Sequence, residues 1–239
     1  MPRRRTAALA GRGPAVSRRR LLLFTKPAQA GRVKTRLIGE LTAGQAAELH
    51  EAFVLDLLER LEGGDFELTV AWALDDGEAP PAWSPPRWVR QDGPDLGARL
   101  HRALAAAAEN GAAVAAIGGD HPGLGRAEVE AAFARVEAGA DAVLGPAADG
   151  GYYLIALAPG AVHPELFAGI AWSTPRVLEE TLARCRARGL AVELLAEGED
   201  VDTPADLRRL AARLAADPGG CPRTGALLER WSRRARPVP

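Results

Sequence analysis

Four short segments hold the residues able to do chemistry. The first, residues 25–37, carries Lys26, Arg32, Lys34 and Arg36, with Gly31 among them. Phosphates favour such a loop: backbone N–H groups cradle the oxygens, Lys or Arg offsets their charge, and glycine lets the backbone come close. A basic loop can also be merely solvated; its place directly after an apolar strand is what points to phosphate. The spacing is not Gly-x-x-x-x-Gly-Lys-Ser/Thr, so a P-loop kinase or GTPase is not indicated.

The second segment is Gly118-Gly119-Asp120-His121-Pro122, after the apolar run 112–117. A carboxylate beyond a buried central strand faces the ligand crevice of an α/β sheet. Mg²⁺ takes one or two such carboxylates together with substrate phosphates, so Asp120 is the candidate metal ligand, with a turn Asp as the alternative. His121 reads as a turn residue, although a ligand or a base is also open. The third segment runs from Gly145-Pro146 to Asp149-Gly150-Gly151-Tyr152-Tyr153. Here a hairpin turn explains the Asp-Gly-Gly, and an acceptor-binding role for Asp149, Gly150 and Gly151 competes with it. The fourth is Asp200-Val201-Asp202-Thr203. Alternation puts both acids on one side of an extended chain, making Asp202 a second metal carboxylate, unless it only favours a helix start. Arg99 is a further phosphate candidate. Trp172, Ser173 and Thr174 are candidates for lining an acceptor pocket, and Trp172 could equally be core.

The elements that must position these residues alternate. Residues 20–24, 68–73, 87–90, 112–117, 142–144, 152–158 and 192–195 read as strands. Helices are expected from Thr42, with a Gln45 capping box, over 96–110 and 128–138, and from Thr174-Pro175 and Thr203-Pro204. This order implies a single-domain α/β three-layer sandwich, a mostly parallel sheet with helices on both faces. Its domain is expected over residues 20–217, between an Arg-rich, disordered extension at 1–19 and a short helix and tail at 218–239.

The chain has 239 residues, is 47% hydrophobic and has a net charge of −1, so it can bury a core and is not expected to bind nucleic acid or a membrane surface. Cys185 and Cys221 have no metal-ligand spacing and read as reduced thiols. The apolar run after Arg20 is too short for a signal peptide, and no run is long enough to span a membrane. A cytoplasmic location is therefore expected.

In order along the chain, Lys34-Thr35-Arg36-Leu37, Asp95-Leu96-Gly97 with Arg99, Gly119-Asp120 with Pro122, the segment from Gly145 to Tyr153, Trp172-Ser173-Thr174, and Asp200 with Asp202-Thr203 resemble a family of bacterial nucleotide-diphospho-sugar transferase-like proteins. It is often labelled arsenosugar biosynthesis glycosyltransferase or selenodomain-associated transferase. The resemblance covers about residues 21–215; His121 stands where a small residue or Cys is expected. The family is similar in fold to the glycosyltransferase A group and to guanylyltransferases of molybdenum- and deazaflavin-cofactor synthesis. The segment from Lys34 to Leu37 is especially like the phospholactate guanylyltransferases.

The resemblance and the residues together imply a Mg²⁺- or Mn²⁺-dependent transferase with a nucleotide-activated donor and a small-molecule acceptor. Glycosyl transfer from a nucleotide-sugar leads. Nucleotidyl transfer from a nucleoside triphosphate to a phosphorylated acceptor, releasing pyrophosphate, is the alternative. A nucleotide-binding module without turnover is a third reading, opposed by the joint presence of Asp120, Asp149 and Asp202.

Overall fold

A computed structural model describes residues 19–217 and 219–235. The expected extension therefore lies outside the described residues except for Arg19, which belongs to the sheet: it opens the first strand, and its guanidinium donates to Glu137 at 2.6 and 2.8 Å.

Among the described residues seven strands form one sheet: β1 (Arg19–Thr25), β2 (Glu67–Trp72), β3 (Trp88–Arg90), β4 (Ala113–Gly118), β5 (Ala142–Pro146), β6 (Tyr152–Leu157) and β7 (Val192–Leu194). Their spatial order is β3-β2-β1-β4-β6-β5-β7. All neighbours are parallel except β6, which runs antiparallel to both β4 and β5. The six α-helices are α1 (Ala43–Leu61), α2 (Leu96–Ala107), α3 (Arg126–Glu137), α4 (Val177–Ala187), α5 (Pro204–Ala216) and α6 (Pro222–Ala235). Among the described residues no helix is long and apolar enough to cross a membrane.

Strand alternation divides the core into two layers. Leu21 and Leu23 of β1, with Ala113, Ala115 and Ile117 of β4, pack against α1 and α3. Leu22, Val114 and Ala116 point the other way, onto α2 and α4. This is the expected three-layer sandwich. Strands buried on both faces read as unbroken apolar runs, which is why β1 and β4 are visible in the sequence. The strand order reverses between β1 and β4, so the chain leaves their carboxyl ends in opposite directions and opens a crevice there.

The capping box expected at Thr42–Gln45 forms, and Thr203 caps its helix as expected, in a box completed by Asp206. The helix expected at Thr174 instead begins at Val177, because the Thr174 hydroxyl donates to Ala171 O and closes a turn. Cys185 and Cys221 are free and buried.

Residues 222–235 form a full helix rather than a short one. Its Leu227 joins Leu37, Leu49 and Phe53 in a third apolar cluster. Asp56 of α1, fully buried, accepts from Arg223 N and Thr224 N at 2.9 Å each and from Thr224 Oγ1 at 2.6 Å. It caps α6 from a different helix. Hydrogen bonds to a charged group contribute about 1.5–3 kcal/mol, and buried donors left unpaired cost more. Asp56→Ala should therefore lower stability by roughly 2–3 kcal/mol, read as a lower urea midpoint with little change in m. A midpoint equal to wild type would show that the cap contributes nothing.

Candidate active site

At the reversal point, β1 ends in Thr25 and β4 in Gly118, and Asp120 follows directly. The basic loop doubles back beside them. Lys34 adopts a left-handed backbone (φ 46°, ψ 38°), unusual for a residue with a side chain. This turn sends the side chain inward, where only 2% of it remains exposed. Its ammonium lies 2.5 Å from Asp120 Oδ1, 3.1 Å from Asp202 Oδ1 and 2.8 Å from Val201 O, and 5.3 Å from the ring centroid of Phe53. Val201 N in turn donates to Asp120 O at 2.9 Å, tying segment 200–202 to the end of β4. Asp206 accepts from the backbone N–H of both Asp202 and Thr203, fixing that segment at the start of α5.

Burial works against the Lys34 charge, but Asp120 and Asp202 outweigh it and hold its pKa above the ordinary value. Asp120 is likewise penalised by burial, yet the Lys34 ammonium brings its pKa below the usual carboxylate range. Asp202 goes the other way. Burial raises it, and with Asp120 close by Lys34 does not bring it back.

Lys34, Arg36, Asp120 and Asp202 thus converge as expected. Lys34 is, however, already engaged by the two acids instead of standing free for phosphate. A cleft of about 460 Å³ opens over them, with Lys26 and Arg36 on its wall. The Arg36 guanidinium is 3.6 Å from Asp202 Oδ2 and 60% exposed. Gly31 supplies a left-handed turn (φ 79°) in the loop and does not line the cleft. Arg32 pairs with Asp75 at 2.7 Å. Arg99 is also outside the cleft lining; its Nε donates to Gly93 O at 3.0 Å and supports the loop before α2.

The two carboxylates fit a hard divalent cation. Both reach the same ammonium and so lie close together, and both side chains remain partly exposed, at 47% and 32%. No group of three or more His, Cys, Asp or Glu suited to a metal occurs among the described residues. Mg²⁺ is commonly held by one or two carboxylates, with phosphate oxygens and water completing its shell.

Behind Asp120 and Asp202 lies a second chamber of about 230 Å³, which shares both acids and Ser173 with the cleft. Asp149, Gly151, Trp172, Ser173 and Thr174 line it. Gly150 does not, but its φ of 87° and a Cβ position 2.1 Å from Pro175 O require glycine, and the turn thereby closes on segment 172–175. Ser173 is left-handed as well (φ 63°). Of the three non-glycine residues with positive φ among those described, Lys34 and Ser173 belong to this site, where backbone strain tends to gather.

The model of a family described as uncharacterized proteins conserved in bacteria (DUF2064) matches residues 54–174. A candidate nucleotide-diphospho-sugar transferase of Desulfovibrio desulfuricans G20 is 33% identical, superposes with a TM-score of 0.84, and aligns over 90% of this chain and 95% of its own. The chain belongs to this family. Further relatives share the fold alone. A cytidylyltransferase of Leptospira borgpetersenii serovar Hardjo-bovis (strain JB197) is 14% identical, with a TM-score of 0.54 over 93% of this chain and 99% of its own. The 4-diphosphocytidyl-2C-methyl-D-erythritol synthase of Anaerococcus prevotii DSM 20548 is 12% identical, with a TM-score of 0.51 over 84% and 98%. No curated protein matches the sequence significantly.

In this member of the family, two cleft residues were not singled out from sequence. His50 of α1 is 5% exposed, its Nε2 3.1 Å from both Thr25 Oγ1 and Lys26 O. The signal was a His next to Leu49 on the buried stripe of an amphipathic helix. Gln91 donates to Thr25 O at 3.1 Å and Ala71 O at 2.8 Å, bridging the ends of β1 and β2.

Burial holds the His50 pKa below its ordinary value of 6.5. Below pH 6.5 the unfolded chain takes up a proton that the folded chain refuses, so stability falls with pH until the folded pKa is passed, at up to about 1.4 kcal/mol per pH unit. His50→Gln should lose less stability than wild type between pH 7 and pH 5 in urea titrations. Equal losses would show that His50 contributes nothing to acid sensitivity.

Proposed function

We propose that the chain is a metal-dependent transferase acting on a nucleotide-activated donor, and that it moves a glycosyl unit to a small-molecule acceptor. The observation carrying this reading is the pair Asp120 and Asp202, bridged by the Lys34 ammonium at 2.5 and 3.1 Å, at the carboxyl end of the sheet with Arg36 beside it. The 33% identical Desulfovibrio protein, with its description as a nucleotide-diphospho-sugar transferase, supports the same donor class.

In this reading the donor diphosphate lies in the cleft, where Lys34 can exchange a carboxylate oxygen for a phosphoryl oxygen and Arg36 can form a two-pronged grip. The acceptor waits behind the two acids. Its hydroxyl oxygen bonds the anomeric carbon as the bond from that carbon to the diphosphate breaks with its electron pair. The hydroxyl proton passes to a carboxylate lining the second chamber and then to water. Lys34 and Arg36 stabilise the charge gathering on the leaving diphosphate, the kind of interaction that supplies most rate enhancement in such sites. A divalent cation held by Asp120 and Asp202 would add Lewis-acid stabilisation of the same charge.

Calorimetry with nucleotide-sugars and Mg²⁺ or Mn²⁺ tests the reading. Lys34→Ala and Arg36→Ala should each weaken donor binding roughly ten- to a hundredfold, with folding checked by circular dichroism. Arg36→Lys should also be damaging, since the charge stays but the fork is lost. Lys26→Ala should matter less. Asp120→Asn should keep the fold and lose the metal dependence. Wild-type affinity in both the Lys34 and Arg36 variants would place the phosphates elsewhere. Release of a nucleoside diphosphate on turnover supports glycosyl transfer; release of pyrophosphate would replace it with nucleotidyl transfer.

A further inference from the structure

The two compartments of the site differ in charge. The cleft is lined by Lys26, Lys34, Arg36 and His50 as well as by Asp120 and Asp202. The second chamber keeps those two acids, adds Asp149 and Asp200, and has no Lys, Arg or His in its lining among the described residues. Its remaining wall is mostly aromatic and apolar, with Phe24, Tyr152 and Trp172 among the contributors, and carries the hydroxyls of Ser173 and Thr174. Tyr152 and Trp172 meet edge to face, with centroids 6.4 Å apart.

The charges that could relieve these acids lie elsewhere. Lys34 is held on the cleft side of Asp120 and Asp202, with 2% of its side chain exposed. Asp200 has His121 Nδ1 at 3.6 Å, but that imidazole stacks on Tyr153 at 4.9 Å and lies outside the chamber lining. Asp149 forms no ion pair among the described residues, and its Oδ1 accepts from Gly151 N at 2.9 Å.

Ionised carboxylates only accept hydrogen bonds. A ligand in this chamber is therefore selected for donors: hydroxyls, or an ammonium that could also lie against the Trp172 or Tyr152 face. A phosphate or carboxylate on the ligand would meet four carboxylates; Lys34 and Arg36 pair Asp120 and Asp202 from the cleft side, and no cation of the chamber lining itself, among the described residues, is there to receive the anion. At about 30 Å³ per water, the volume equals that of roughly eight waters, room for one small ring compound.

Resting on the donor reading above, we propose that the acceptor is an uncharged or cationic polyol or amino-polyol, and that this chamber excludes phosphorylated and carboxylated acceptors. The acceptor nucleophile is then a hydroxyl and not a phosphate. This separates the protein in chemistry from nucleotidyltransferases that join a nucleotide to a sugar phosphate.

The test compares probes of similar shape and different charge: glucosamine, glucose, glucose 6-phosphate and gluconate. Binding is followed by NMR on the Trp172 indole N–H, assigned with Trp172→Phe, with and without nucleoside diphosphate and Mg²⁺. Glucosamine and glucose should move this signal at concentrations roughly tenfold or more below those needed for the two anions, and added salt should narrow the gap. Asp149→Lys should reduce or invert the preference, while Asp149→Asn, which keeps the turn acceptor, should weaken it without inversion. Anions bound as well as or better than glucose, or no shift of the signal by any probe, would overturn the proposal. Failure of the donor reading shows separately, as no nucleotide or nucleotide-sugar binding in the cleft. In that case the charge preference of the chamber is still measured on the protein alone.

Discussion

The site is organised around one buried ammonium. Lys34 sits almost out of water, and such a charge is tolerated only when closely paired. Asp120 comes from the end of β4 and Asp202 from the start of α5, so a single cation fixes the relative position of two elements distant in sequence. The left-handed backbone at Lys34 is a cost that these contacts offset. With Arg36 3.6 Å from Asp202, two cations and two carboxylates share this corner of the site.

The layering of the sheet makes this cluster a boundary. β1 and β4 are parallel neighbours whose following strands lie toward opposite edges of the sheet, and the antiparallel β6 beside β4 lets the turn before it, with Asp149, fold back over the same end of the sheet. One side of the boundary is therefore furnished by the loop after β1, and the other by the turn between β5 and β6 together with segment 172–174. Two compartments of opposite character meet at two shared carboxylates.

Much of this was legible in the sequence, and for physical reasons. Strands buried on both faces leave runs such as Leu21-Leu22-Leu23, and local hydrogen-bond chemistry announces Thr42 and Thr203 as caps. The acids that end strands were visible because polar residues there are conspicuous. Side-chain direction was not. Arg99 has the right type and neighbourhood, yet its guanidinium turns to the Gly93 carbonyl. Lys34 was taken as a free phosphate ligand because its partners are 86 and 168 positions away and no local pattern encodes them. The last helix was expected to be short because the feature that anchors it, Asp56, is on α1, 168 positions from Thr224.

That anchor also bears on the order of assembly. Asp56 and its partner Thr224 are 168 positions apart, and the same helix α1 carries His50 against the floor of the cleft. In a chain made from its amino end, β1, α1 and β2 are available early, but the outer face of α1 stays uncovered and the Asp56 carboxylate unpaired until the segment after residue 221 has emerged. Non-local closures of this kind slow folding because the intervening chain must be ordered first. The helix that carries His50 is therefore covered on its outer face last.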